Sequence, residues 1–162
     1  MSEERQDPNG TQPAWMADVA RLQALRPKHI LFLCVANSAR SQMAEGIARA
    51  LAPADVLVSS AGSAPAAVRP QAVQVLAEIG IDISSHRSKA VEEVDAKTVD
   101  AVVTLCAEEV CPLFLGRAVR LHWALPDPAA AVGAEEDKVR AFRAVRDELH
   151  HRLQTLFAGW NR

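Results

Sequence analysis

His29-Ile30-Leu31-Phe32-Leu33-Cys34-Val35-Ala36-Asn37-Ser38-Ala39-Arg40-Ser41-Gln42-Met43-Ala44-Glu45-Gly46 passes from an apolar run through a short polar loop into a helical pattern. The run 29–33 predicts a buried strand, and Gln42 to Leu51 predicts a helix. Between them stand a cysteine, five further residues, then an arginine and a serine. A loop of this kind turns its backbone N–H groups inward at a helix N-terminus and makes an anion site. The amides of Val35, Ala36, Asn37, Ser38, Ala39 and Ser41 are the expected anion-binding groups. The same partial positive charge favours the thiolate of Cys34, hence its use as a nucleophile. Arg40 would clamp a tetrahedral oxyanion through two parallel hydrogen bonds, a geometry lysine cannot copy. Ser41, next in the chain, would hydrogen-bond the sulfur or the departing group.

Outward from this loop the chain alternates strands and helices. Downstream, Val56–Ser60 predicts strand two and 61–65 a loop. A helix is predicted from Pro70 to a C-cap at Gly80, with a short helical stretch near 90–94. Val99–Leu105 and Val119–Trp123 predict strands three and four, and Pro126 and Pro128 an open segment. A last helix runs from Glu135 to about Phe157, with Val139, Phe142, Val145, Leu149, Leu153 and Leu156 on one face. This α/β alternation predicts a parallel sheet covered on both faces, with ligands off the carboxyl ends of the strands. Upstream, the polar residues 1–13 predict a disordered tail. Trp15, Met16, Val19, Leu22 and Leu25 predict a short amphipathic helix ending before Pro27, whose expected role is packing on the domain. Residues 1–26 thus read as an N-terminal extension and 27–162 as the domain proper.

At 162 residues the chain fits one domain with a sizeable core. A net charge of -2 provides no basic field for nucleic acid or an anionic membrane. The acidic opening Met1-Ser2-Glu3-Glu4, with no apolar run of spanning length, predicts no signal peptide or anchor and a cytosolic protein. Three cysteines, an odd number, suit a reducing compartment where thiols do chemistry.

The segment from Cys34 to Gly46 resembles the active-site signature of the low-molecular-weight protein tyrosine phosphatase superfamily. The wording Asn37 to Gly46 is closer to its arsenate reductase branch, the kind usually recycled by thioredoxin. The resemblance covers about residues 29–157 and implies a four-stranded parallel sheet of order 2-1-3-4, flavodoxin-like, with helices on both faces. In that order Cys34, ending strand one, and Cys106, ending strand three, are neighbours. Leu105-Cys106-Ala107-Glu108-Glu109-Val110-Cys111-Pro112 is similar to the reductase segment in which two further cysteines relay a disulfide. Four residues separate Cys106 from Cys111, fewer than in the best-known reductases. Glu108 and Glu109 would disfavour early ionisation of that pair. His122 to Ala129 resembles the general-acid loop, with Asp127 protonating the leaving oxygen, a transfer typically contributing about 100- to 10,000-fold. Where related phosphatases have tyrosines after the Asp-Pro, this chain has Ala129-Ala130-Ala131 and no tyrosine at all.

The resemblance therefore implies an arsenate reductase: Cys34 attacks arsenate, Cys106 attacks the adduct, Cys111 carries the disulfide outward, and thioredoxin reduces it. Phosphate and sulfate would compete with arsenate. A phosphatase working through a phosphocysteine is the alternative enzyme, and an anion-binding regulator the non-enzymatic one. Asn37, Glu45 and Ser60 match positions that brace the loop and bind potassium in some relatives. Lys89 stands where those relatives carry an acidic ligand, so no metal and no cofactor are expected. His86 matches a histidine that often supports this region, with a surface or capping role as the alternative, and His150-His151 reads as a solvated pair.

Overall fold

Strand β1, His29–Cys34, is buried at every position and lies at the centre of the structure. The computed structural model describes residues 12–107 and 116–160, so the predicted tail, apart from Gln12 and Pro13, lies outside the described residues. Strands β2 (Leu57–Gly62), β3 (Ala101–Thr104) and β4 (Val119–His122) join β1 in a parallel sheet of order β2-β1-β3-β4. This is the expected order, and it makes β1 and β3 direct neighbours.

The two faces of β1 divide the core. Ile30 and Phe32 face helices α1 (Ala14–Leu25), α2 (Arg40–Leu51), α3 (Pro70–Ala77) and α4 (Glu135–Trp160), in one cluster with Met43, Ile47, Leu76, Phe142 and Leu149. Leu31 and Leu33 face a smaller cluster with Val99 and Val102, covered by Val91, Val94 and Ala96. A strand buried on both faces must be apolar throughout, which is why its sequence shows no alternation. Among the described residues no helix is long and apolar enough to cross a membrane.

Several boundaries differ from expectation; helix α3, for one, ends at Ala77 with Glu78 rather than Gly80 at its C-cap. Helix α2 starts at Arg40, inside the loop motif, because the turn after Ala39 already makes the Met43 N–H to Ala39 C=O bond. Strand β2 continues to Gly62, where a loop was expected, because Gly62 pairs with Cys34 and donates its N–H to the Lys89 carbonyl. The segment expected to stay open after Pro126 holds a 3-10 turn, Pro128–Ala130, which the Asp127 carboxylate caps.

Helix α1 buries Trp15, Val19 and Leu22 in the same core as the sheet. It ends at Arg26, whose left-handed backbone (φ 49) costs about 1–2 kcal/mol. Each large apolar side chain buried is worth ~1.5–3 kcal/mol, so the packing outweighs the strain. Gln23 fastens the helix further, donating Nε2 to the carbonyls of Thr155 and Leu156 near the end of α4.

Glu78 caps α3 against α4. It takes a two-point contact from Arg143 (2.9 and 2.6 Å) and a third bond from Arg146 Nη1 (2.6 Å), which also donates to the Val75 carbonyl. The Arg143 hydrogen bonds hold the Glu78 carboxyl down to about 2, with Arg146 adding to the effect. A carboxylate depressed in the folded state contributes stability above its unfolded value of 4.5, and loses it as pH falls toward 2. Glu78→Gln is therefore expected to make the urea midpoint depend less steeply on pH between about 4.5 and 2, as measured by denaturation at a series of pH values.

Candidate active site

The loop between β1 and α2 is held from outside. The carbonyls of Val35, Ala36 and Ser38 accept the N–H groups of Ala64, Ala66 and Arg69, each at 2.9 Å. In a trans peptide the following N–H points opposite to the carbonyl, so the amides of Ala36, Asn37 and Ala39 turn to the inner side. Helix α2 adds its own N-terminus, since Ala39 supplies no side-chain cap and the first-turn N–H groups remain for an anion.

Asn37 makes the turn possible. Its φ of +48 is left-handed, a conformation asparagine tolerates better than most residues. Every polar group of its side chain is engaged. Nδ2 donates to Ser41 Oγ and Ser60 Oγ at 2.8 and 2.9 Å, and Oδ1 accepts from Gln42 Nε2 and the Lys89 amide, both at 2.9 Å. The Asn37 carbonyl accepts from Ser88 Oγ at 2.7 Å. Ser41 Oγ accepts from Asn37 and lies 2.8 Å from Cys34 Sγ, close enough to donate its hydrogen to a thiolate there. Cys34 is a buried thiol, not disulfide-bonded.

Arg40 connects the loop to the two other predicted parts of the site. Its guanidinium is buried, and Nη1 donates to the carbonyls of Leu125 (3.0 Å) and Leu105 (3.4 Å). Leu105 precedes the buried Cys106; its own N–H bonds to the Leu33 carbonyl and its carbonyl accepts from Leu125 N–H. Leu125 lies two residues before Asp127, which is half-buried and accepts the Ala129 N–H at 3.0 Å. Cys34, Arg40, Cys106 and the Asp127 loop thus gather at the carboxyl ends of β1, β3 and β4. Cys111, Glu108 and Glu109 lie outside the described residues.

Beneath the loop, Glu45 is buried and ringed by donors. Ser60 Oγ stands at 3.2 Å, His86 Nδ1 at 3.1 Å, Lys89 Nζ at 3.7 Å and Arg49 Nη1 at 3.8 Å. Burial lowers the pKa of His86, against the pull of Glu45 and with help from Arg49 and Lys89. Its Nδ1 lies between Glu45 Oε2 and Gln42 Oε1, at 3.1 and 3.0 Å. His86 supports the loop through Gln42, whose Nε2 reaches both the side chain and the carbonyl of Asn37. His151 is exposed, as expected, and sets its ring edge-on to Trp15 at 5.3 Å.

Sequence reasoning passed over Gly62 and Gln42. A Cβ on Gly62 would lie 2.3 Å from the Val35 carbonyl oxygen and 2.9 Å from Asn37 N, so only glycine allows the loop to sit against β2. A glycine ending a strand hints at such an approach; nothing local marks Gln42.

Residues 29–162 match the family of low molecular weight phosphotyrosine protein phosphatases. The chain belongs to that family. It is 44% identical over 133 residues to an arsenate reductase of Halalkalibacterium halodurans, covering 81% of this chain and 96% of that protein. A solved structure of an arsenate reductase in its phosphate-binding state aligns with a TM-score of 0.70 and 34% identity, over 81% of this chain and 97% of that one. A thioredoxin-dependent arsenate reductase of Corynebacterium glutamicum aligns at 0.55 with 26% identity, over 85% and 71%.

Two tests follow from this geometry. Gly62→Ala must push the loop backbone off β2, so oxyanion affinity is expected to fall by at least about tenfold, read by phosphate titration. The cation position below the loop is set by chemistry: the carboxylate that would ligate potassium already faces the Lys89 ammonium at 3.7 Å. The residues present do not fit a metal ion. Melting temperature and anion affinity are therefore expected to be the same in sodium and potassium at equal ionic strength; a potassium-specific rise would show a cation bound there.

Proposed function

We propose that this protein reduces arsenate to arsenite through a cysteine–arsenic adduct. The observation that supports the reading is the pair of hydrogen bonds from Arg40 Nη1 to the carbonyls of Leu105 and Leu125, which ties the loop of Cys34 to the segments that carry Cys106 and Asp127. The names of the similar proteins point the same way.

Arsenate is held by the inward amides of residues 35–39 and Ser41, by the α2 N-terminus and by Arg40, with phosphate and sulfate as competitors. Cys34 attacks arsenic as the thiolate, the Ser41 hydroxyl having stabilised that sulfur. Asp127 gives its proton to the departing oxygen, which leaves as water. The Cys106 thiolate then attacks the Cys34 sulfur. The electron pair of the sulfur–arsenic bond passes to arsenic, arsenite leaves, and a Cys34–Cys106 disulfide remains. Cys111 attacks Cys106, freeing Cys34, and the external dithiol of thioredoxin reduces the Cys106–Cys111 bond. The thioredoxin dependence stated for the Corynebacterium glutamicum relative supports that donor. Such a cycle belongs in a reducing compartment such as the cytosol.

The family name keeps phosphatase chemistry as the second reading, since Cys34, Arg40 and Asp127 would serve either reaction. Against it, Ala129-Ala130-Ala131 follows the acid loop and no tyrosine exists to wall an aromatic cleft.

Assays of arsenite release and aryl phosphate hydrolysis on the same variants separate the two. Cys34→Ser is expected to abolish both activities, and Cys106→Ser to abolish reduction while sparing slow hydrolysis. Asp127→Asn should slow the first turnover by about 100-fold or more with little change in anion affinity. A regular helical turn would hold the Cα atoms of Cys106 and Cys111 ~8–9 Å apart, whereas a disulfide needs roughly 4.4–6.8 Å. The bond therefore requires residues 107–110 to loop, and its strain makes it readily reduced. After one equivalent of arsenate and an alkylating quench, mass spectrometry should find Cys106–Cys111 with Cys34 alkylated. Arsenate turnover by Cys106→Ser at the wild-type rate would end the relay reading.

A further inference from the structure

The Arg152 guanidinium, on α4, lies over two indole rings at once: that of Trp15 from α1, at 5.4 Å, and that of Trp123 from the end of β4, at 5.9 Å. All three side chains are buried, at 7, 6 and 1% exposure for Trp15, Arg152 and Trp123. Glu148, one turn back on α4, accepts from Arg152 Nε at 2.6 Å and balances its charge. Among the described residues the Trp123 ring nitrogen has no hydrogen-bond partner. Packing and the guanidinium, rather than a polar bond, therefore hold that ring in place.

Trp123 opens the segment that carries the chemistry. Its N–H is fixed to the Thr104 carbonyl, and two residues on, the Leu125 carbonyl receives Arg40. Asp127 follows, and α4 packs against the 3-10 turn it caps. Whatever orients the Trp123 ring thus sets the approach of both the clamp and the proton donor. One of the two rings orienting Arg152 comes from α1, which lies upstream of the family match at residues 29–162.

We propose that Trp15 and Arg152 are positioning residues for the Trp123–Asp127 segment, so that helix α1 helps set the rate of the first chemical step. The kinetic half rests on the functional reading above; the structural half does not. A planar cation between aromatic faces is worth more when desolvated, and a guanidinium fulfils this role where an ammonium does not. Losing Trp15 opens Arg152 to water, loosens the Trp123 ring, and lets Leu125 and Asp127 drift. Small misplacements of this kind slow catalysis, up to ~100-fold for a full ångström.

The test uses the full chain and two readouts. Amide hydrogen exchange is followed at Leu125, bonded to the Leu105 carbonyl, and at Ala129, bonded to Asp127, with Leu31 and Phe32 of β1 as reference. First-turnover arsenate reduction is timed at saturating substrate. In Trp15→Ala, exchange at Leu125 and Ala129 is expected to quicken, with β1 unchanged, and first turnover to slow by about tenfold. Trp15→Phe keeps a ring and should restore both. Val19→Ala, buried on the same helix, should lower the melting temperature while leaving the loop amides protected. Should Trp15→Ala not fold, Arg152→Lys removes the planar contact while keeping the charge, and the same two changes are expected. Wild-type exchange at Leu125 and Ala129 in a folded Trp15→Ala or Arg152→Lys overturns the proposal, as does equal loosening in Val19→Ala. Loosened amides with no arsenate turnover even in the wild type would sink the functional reading and leave the stack standing.

Discussion

The inner amides of the loop from Cys34 to Ser41 exist because the outer carbonyls are already taken. Without donors behind them, the carbonyls of Val35, Ala36 and Ser38 would lose the bonds that fix the loop's turn. The segment from Ala64 to Arg69 supplies those donors, so the connection between β2 and α3 is a mould for the loop. Gly62 lets the mould approach, and Asn37 lets the loop turn within it. Under the proposed function, the catalytic geometry is backbone geometry, fixed before any substrate arrives, which is the arrangement electrostatic stabilisation favours.

The second layer is electrostatic. A carboxylate buried as completely as Glu45 is costly unless donors surround it, and Ser60, His86, Lys89 and Arg49 do so. Three of those residues belong to segments outside α2, so the carboxylate ties the loop helix to β2 and to residues 86–89. Such a group is weak as a source of net stability. It specifies one arrangement, since any slip of these segments would strand a buried charge. The Lys89 ammonium also makes the brace part of the chain itself.

Helix α4 is the common support for the remainder. It meets α3 through Glu78, α1 through Gln23 and Trp15, and the acid-loop turn directly. Helix α4 packs on α2 as well, while the loop around Cys34 is bonded to residues 64–69 and seated against Gly62 of β2. The loop around Cys34 and the segment carrying Asp127 are joined by the Arg40 guanidinium.

How far the chain could be read follows from the range of each signal. An apolar run, a cysteine, an arginine and a helical period are local patterns. Cys34, Arg40 and the alternation of strands and helices were accordingly plain in the order of residues, and with them the parallel sheet. The resemblance of the loop added the strand order, and so the neighbouring of Cys34 and Cys106. Asp127 could be named but not its cap on the 3-10 turn, which needs the Ala129 amide to fold back. The contacts that only the tertiary structure decided join residues far apart in the chain: Gly62 against Val35, Arg40 to Leu105 and Leu125, Lys89 to Glu45, Trp15 to Arg152. No local pattern encodes them, because each depends on where two separately formed elements come to rest. The sequence by itself determined which groups are proposed for the chemistry; the packing of α1, α4 and the β2–α3 connection decided how those groups are held.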